Sequence, residues 1–182
     1  MSKALGLIEF NSIARGIESA DIMLKTAQVQ MVQARPVCPG KYIAIIAGDM
    51  GAVEASMQEG IKAGDALIVD TLLIPNLRSD VIEAILATGP VRRQNAVGIM
   101  EYFSIASAVV GADEAAKTSD ITLIEVRLGI GIGGKSFVSL TGDVGAVKEA
   151  VRAGCREAEK NGMLITSTVI PSLSREMWEF IL

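Results

Sequence analysis

The chain contains no histidine. That removes the commonest general base and the commonest metal ligand, and with them every histidine-based triad and every histidine-ligated zinc site. Cysteine is almost as scarce: there are two, Cys38 and Cys155, among 182 residues. With no export signal visible, two thiols point to a reducing compartment and no disulfide framework. The first ten residues, MSKALGLIEF, show no long apolar segment followed by a cleavage site, so no signal peptide is expected. Aromatic residues number seven and there is no basic run, so the positive footprint of a nucleic-acid binder is missing. Net charge is −4.

Long hydrophobic runs are also absent. Half of the residues are hydrophobic and mean hydropathy is +0.42, yet no apolar run approaches the roughly 18 residues needed to span a bilayer. YIAIIAG and MLITSTVI are strand-length. The surplus apolar surface must enter cores and subunit interfaces.

What is present is a repeat. Residues 4–35, ALGLIEFNSIARGIESADIMLKTAQVQMVQAR, align without a gap to 96–127, AVGIMEYFSIASAVVGADEAAKTSDITLIEVR, with eleven of 32 positions identical. After two extra residues in the second copy, GKYIAIIAGDMGAVEASMQEG (40–60) aligns to GKSFVSLTGDVGAVKEAVRAG (134–154). LIVDTLLIP (67–75) aligns to MLITSTVIP (163–171). This is a tandem duplication, with domains at 1–91 and 92–182 joined through ATGPVRRQN (87–95), a Gly-Pro break with two arginines expected to be exposed.

Each copy reads alike. A short apolar strand (4–10) precedes a helix capped by Ser12, with Ile13, Ile17, Ala20 and Leu24 on one face. Strands are expected at 29–35 and 41–47, then a helix opened by Asp49 with a buried stripe of Val53, Met57 and Ile61. A last strand (66–74) leads through Pro75 to a short helix. The order is β-α-β-β-α-β, an α+β ferredoxin-like layer with an extra C-terminal helix.

Cys38 stands in ARPVCPGK, between Pro36 and Pro39 and before Gly40. The prolines stiffen the backbone and the glycine permits a turn, so the thiol is expected on a fixed loop. Its counterpart is the glycine-rich GIGIGG (129–134), whose spacing matches neither a Walker loop nor GxGxxG. Cys155 continues a helical stripe from Val147 and Val151 and reads as a buried small hydrophobe. Glu9 and Glu101 end equivalent strands and lack the acid–base partners that catalysis needs, so they read as structural.

AxGxxE on the first strand, ADxxxKT closing the first helix, GK opening the third strand and GDxGAV opening the second helix occur in both copies. Together they resemble the bacterial microcompartment (BMC) shell domain, over nearly the whole chain. The resemblance implies two tandem BMC domains and homotrimers that mimic six-membered rings. Such trimers tile with other shell proteins into facets around encapsulated enzymes in the bacterial cytoplasm. It implies no catalysis, no nucleic acid and no membrane.

RPVCPGK is similar to the loop of the family branch found in propanediol-utilisation shells. That similarity implies one 4Fe–4S cluster per trimer, held by three Cys38 thiolates and one non-protein ligand. Val37, Cys38, Pro39 and Gly40, with Gly131, Ile132, Gly133 and Gly134, would then line the pore. The implied role is electron transfer or cluster transport across the shell, with an encapsulated redox enzyme as partner. Lys25 and Lys117, with Arg78, would lie at the facet edge. Two rival readings remain: a tandem ferredoxin-like trimer that binds a small regulatory molecule, and a stand-alone redox enzyme, for which no acid–base set is visible.

Overall fold

The computed structural model describes residues 3–91 and 94–181. The linker arginines, Arg92 and Arg93, lie outside the described residues. The chain forms two compact units, Met1–Ser79 and Asp80–Leu182. The first contains β1 (Lys3–Phe10), α1 (Ile13–Thr26), β2 (Gln30–Val37), β3 (Lys41–Gly48), α2 (Met50–Gly64) and β4 (Ile68–Leu77). Then come α3 (Ser79–Leu86), β5 (Ala96–Tyr102), α4 (Ile105–Thr118), β6 (Ile121–Leu128), β7 (Ser136–Gly142), α5 (Val144–Lys160), β8 (Leu164–Ile170) and α6 (Arg175–Ile181).

Each unit holds one four-stranded sheet, ordered β2-β3-β1-β4 and β6-β7-β5-β8. Every pairing is antiparallel. This is the expected ferredoxin-like layer, occurring twice. Compactness and duplication divide the chain at different places. α3 belongs to the first sequence copy but lies almost wholly in the second unit. There Asp80, Glu83 and Ala84 line one cleft with Ile121, Thr122 and Leu123 of β6.

Strand alternation sets the core. In the first unit Ala4, Ile8 and Phe10 of β1 join Tyr42, Ala44 and Ile46 of β3. Together they pack against Ala20 and Met23 of α1 and Val53 and Met57 of α2. The Ser12 and Ser104 hydroxyls cap α1 and α4, accepting from the Arg15 and Ser107 amides at 3.3 and 3.2 Å. Asp49 and Asp143 hold the N-cap positions of α2 and α5 without a side-chain cap bond.

Three expectations need correction. The α1 stripe is not the core face: Ala20 is buried, but Ile13, Ile17 and Leu24 are exposed, and the core takes Gly16, Ser19 and Met23 instead. On α2, Val53 and Met57 are buried as expected while Ile61 is 38% exposed. An apolar stripe states that a face wants cover, not that its own domain supplies it. Finally, β2 and β4 run through Pro36 and Pro75 rather than stopping short of them. Both are edge strands, where a missing N–H costs no ladder bond. Pro75 also falls at an irregularity, where pairing shifts between Lys3↔Leu77 and Leu5↔Ile74.

Candidate functional site

Cys38 is the first residue of a three-residue hairpin turn. β2 and β3 stay paired up to Val37↔Lys41, leaving Cys38, Pro39 and Gly40 to reverse the chain. Gly40 has φ +77°, and a Cβ there would meet nothing within 4 Å. The left-handed backbone, not crowding, is therefore what requires glycine. Val37 and Tyr42 at the base are buried, Cys38 is half-buried, and Pro39 and Gly40 are exposed.

The base is tied by an ion pair. Lys41 Nζ donates to Glu9 Oε1 at 2.9 Å, and the Glu9 side chain is 7% exposed against 28% for Lys41. A pair this shielded is screened little, and each partner depends on the other for its burial. The GK motif and the structural reading of Glu9 do not by themselves bring Lys41 and Glu9 together. The signal that does so is register: Glu9 opposes Ile43, so Lys41, two residues before it, lies diagonally across on the same face.

The second unit closes the equivalent hairpin with Gly129–Gly134. Gly129, Gly131, Gly133 and Gly134 all have positive φ. The Gly129 amide donates to the Lys135 carbonyl at 3.1 Å, and the Lys135 amide to the Ile132 carbonyl at 3.3 Å. Gly131 and Gly133 face open space. The loop is thus built for an unusual backbone path, with bare backbone at Gly131 and Gly133 and the Ile130 side chain 39% exposed between them and Gly129.

Cys155, on α5, is 2% exposed. Burial pushes its thiol above the ordinary range, partly offset by a hydrogen bond with Ser167 and reinforced by Glu159. A protonated, enclosed thiol makes a poor ligand. Among the described residues no group of three or more His, Cys, Asp or Glu could hold a metal ion. A single chain therefore offers one accessible thiol, Cys38.

Lys25 and Lys117 end equivalent helices and pair with Asp21 and Asp113 one turn earlier. Their surroundings differ. The Lys25 side chain is 73% exposed and Lys117 38%, with Asp113 nearly fully buried. Arg78 is exposed between β4 and α3. Among the described residues no helix is long and apolar enough to cross a membrane.

The BMC domain family matches the chain twice, at residues 4–77 and 96–173. The bacterial microcompartment shell protein PduT of Citrobacter freundii is 39% identical over 178 residues, covering 98% of this chain and 97% of the relative. The shell protein PduA of the same organism is 36% identical over 91 residues, 48% of this chain but 95% of the relative, as the duplication requires. The crystal structure of a microcompartment protein from Desulfitobacterium hafniense superimposes with a TM-score of 0.95. It is 49% identical and covers 98% of this chain and 99% of its own.

Proposed function

This chain belongs to the BMC domain family, and from that premise we propose that three copies close into a six-domain ring, tile into facets and hold one iron–sulfur cluster on the ring axis through Cys38. The protein is a structural component of a microcompartment shell and not an enzyme.

One observation carries the ring. Ile13, Ile17 and Leu24 of α1 are 39%, 53% and 44% exposed, whereas their counterparts on α4, Ile105, Val109 and Ala116, are 1%, 0% and 2%. The same apolar face is satisfied within the chain in one copy and left open in the other. An open face that can be covered by a different surface of a second copy makes a head-to-tail contact, and such contacts close into rings when the rotation allows.

The donor set supports the cluster only across copies. One chain offers a single accessible thiol, on a turn whose base carries the buried Val37 and the Glu9–Lys41 pair. Three copies offer three, and a 4Fe–4S cluster usually takes four cysteines, so one iron would keep a non-protein ligand. When bound, the cluster supplies one-electron transfer or is itself passed on. Cys38 would supply the thiolate, from the first position of the β2–β3 turn. Gly131, Ile132, Gly133 and Gly134 would line the pore in alternation with Val37–Gly40. Lys25, Lys117 and Arg78 would lie at the facet edge.

The test is anaerobic purification followed by sedimentation and iron analysis. A species of three times 19.1 kDa is expected, with one cluster for every three chains. Cys38→Ser should remove iron, sulfide and visible absorption while the trimer survives, and Cys155→Ser should keep the cluster. A stable monomer would refute the ring. Loading near one cluster per chain would refute the axial site.

A further inference from the structure

The strand-end carboxylates are not equivalent in their surroundings. Glu9 opposes Ile43 in the first sheet and Glu101 opposes Phe137 in the second, so the two occupy the same register position. Glu9 has its lysine. Glu101 does not: the two added loop residues leave Lys135 exposed before β7, its backbone tied into the glycine loop. Among the described residues Glu101 has no ion pair.

Glu101 instead lines a cavity of about 330 Å3. Val97, Ile99, Phe137 and Ile181 give it apolar walls, and Ser139 contributes a hydroxyl. Glu125 and Arg127 line it as well, and this cation is already committed. Arg127 donates from Nε and Nη2 to the two Glu125 oxygens at 2.7 and 3.0 Å. Its guanidinium also lies over the Phe137 ring, 5.1 Å from the centroid. Arg127 and Glu125 cancel, leaving the Glu101 charge facing the space. The first copy shows why room exists here: the residue equivalent to Ser139 is Ile45, fully buried.

We propose that this cavity binds a small primary alkylammonium ion. Its nitrogen takes the place beside Glu101 that the Lys41 ammonium takes beside Glu9, and its alkyl chain lies against Ile99, Phe137 and Ile181. One carboxylate left uncompensated, beside a second already held by Arg127, does not suit a hard divalent cation, which needs six or more oxygens. An organic ammonium satisfies both the charge and the walls. The inference rests on the difference between the two copies and not on the cluster or the ring.

The experiment titrates n-butylammonium chloride into the full-length protein, followed by calorimetry and by methyl chemical shifts, with n-butanol and butyrate as controls. Saturable binding of one ammonium per chain is expected, with shifts at Val97, Ile99 and Ile181. Glu101→Gln should weaken it at least about tenfold. Ser139→Ile, which installs the first copy's residue, should abolish it by filling the space, and circular dichroism checks that both variants remain folded. Unsaturable binding, equal binding of n-butanol, or unchanged affinity in either folded variant would overturn the proposal. Sedimentation and iron content, read in parallel, report separately on the shell reading.

Discussion

In the first unit the Gly60 carbonyl accepts the Ser19 hydroxyl at 2.8 Å; in the second, the equivalent Gly154 carbonyl accepts the Tyr102 hydroxyl at 3.1 Å. The hydroxyl has moved from helix to strand. Ser19 corresponds to Gly111 and Phe10 to Tyr102, and a Cβ on Gly111 would lie only 2.1 Å from Tyr102 Oη. The exchange therefore had to involve both positions. A second exchange runs the other way in size. A Cβ on Gly16 would fall 2.5 Å from the Tyr42 ring, and in the second unit those positions are Ala108 and Ser136. Here compensation is incomplete, because Ser136 Oγ is buried without a hydrogen-bond partner among the described residues. The cores diverged by paired swaps, the first keeping the hydrogen bond to the glycine carbonyl and the second only relieving the clash. The outer faces diverged in what covers them.

The strongest way to break that comparison is to place aspartate on equivalent helix faces. Val109→Asp puts a charge where exposure is 0% and should cost about 4 kcal/mol or more in thermal unfolding. Ile17→Asp, at a residue 53% exposed, should change the unfolding of the single chain by less than about 0.5 kcal/mol yet abolish the proposed trimer in sedimentation. Equal effects on folding would show that the two faces are not differently covered.

The core exchange can be sharpened by a double-mutant cycle. Gly111→Ser should cost about 2–3 kcal/mol by overpacking against Tyr102, and Tyr102→Phe about 1 kcal/mol by leaving the Gly154 carbonyl short of a donor. The double variant rebuilds the first unit's Phe10–Ser19 arrangement and should recover most of the loss in denaturant titration. Simple additivity would mean the two sites are not coupled. Next in size, Lys41→Met leaves Glu9, 5% exposed, without its cation and should cost about 1–3 kcal/mol. Lys135→Met, at an exposed residue, should stay within about 0.5 kcal/mol.

The smallest effect is one of pH. Burial raises the Tyr102 hydroxyl well above its ordinary range, with a further push from Cys155, and burial raises Cys155 as well. A raised native pKa leaves stability intact below the unfolded value and erodes it as pH climbs toward the native one. The second unit should therefore loosen first above about pH 9, the ordinary value for the thiol. Hydrogen exchange between pH 8 and 11 would read this unit by unit. Tyr102→Phe with Cys155→Ile, the residue types of the first copy, should flatten the difference.

Element order was legible because apolar periodicity, serine caps and glycine turns act within a few residues of chain. The Cys38 turn was legible for the same reason, since Pro39 and Gly40 constrain the backbone wherever they stand. What escaped was every question of partner. Lys41 and Glu9 lie 32 residues apart and meet only because two strands pair in one register. The same motif with two more loop residues leaves Glu101 without an ion pair among the described residues.

By itself the sequence determined the duplication, the antiparallel layer built twice, the buried Cys155 and the thiol presented on a tight turn. Each follows from local backbone chemistry and from which side chains avoid water. Only the tertiary structure decided which of two near-identical helix faces is covered, which carboxylate keeps its lysine and where a cavity opens. Ile13 and Ile105 are the same residue in the same motif, one open and the other buried. Hydrophobicity states what a face requires, whereas burial depends on the surface that arrives to meet it.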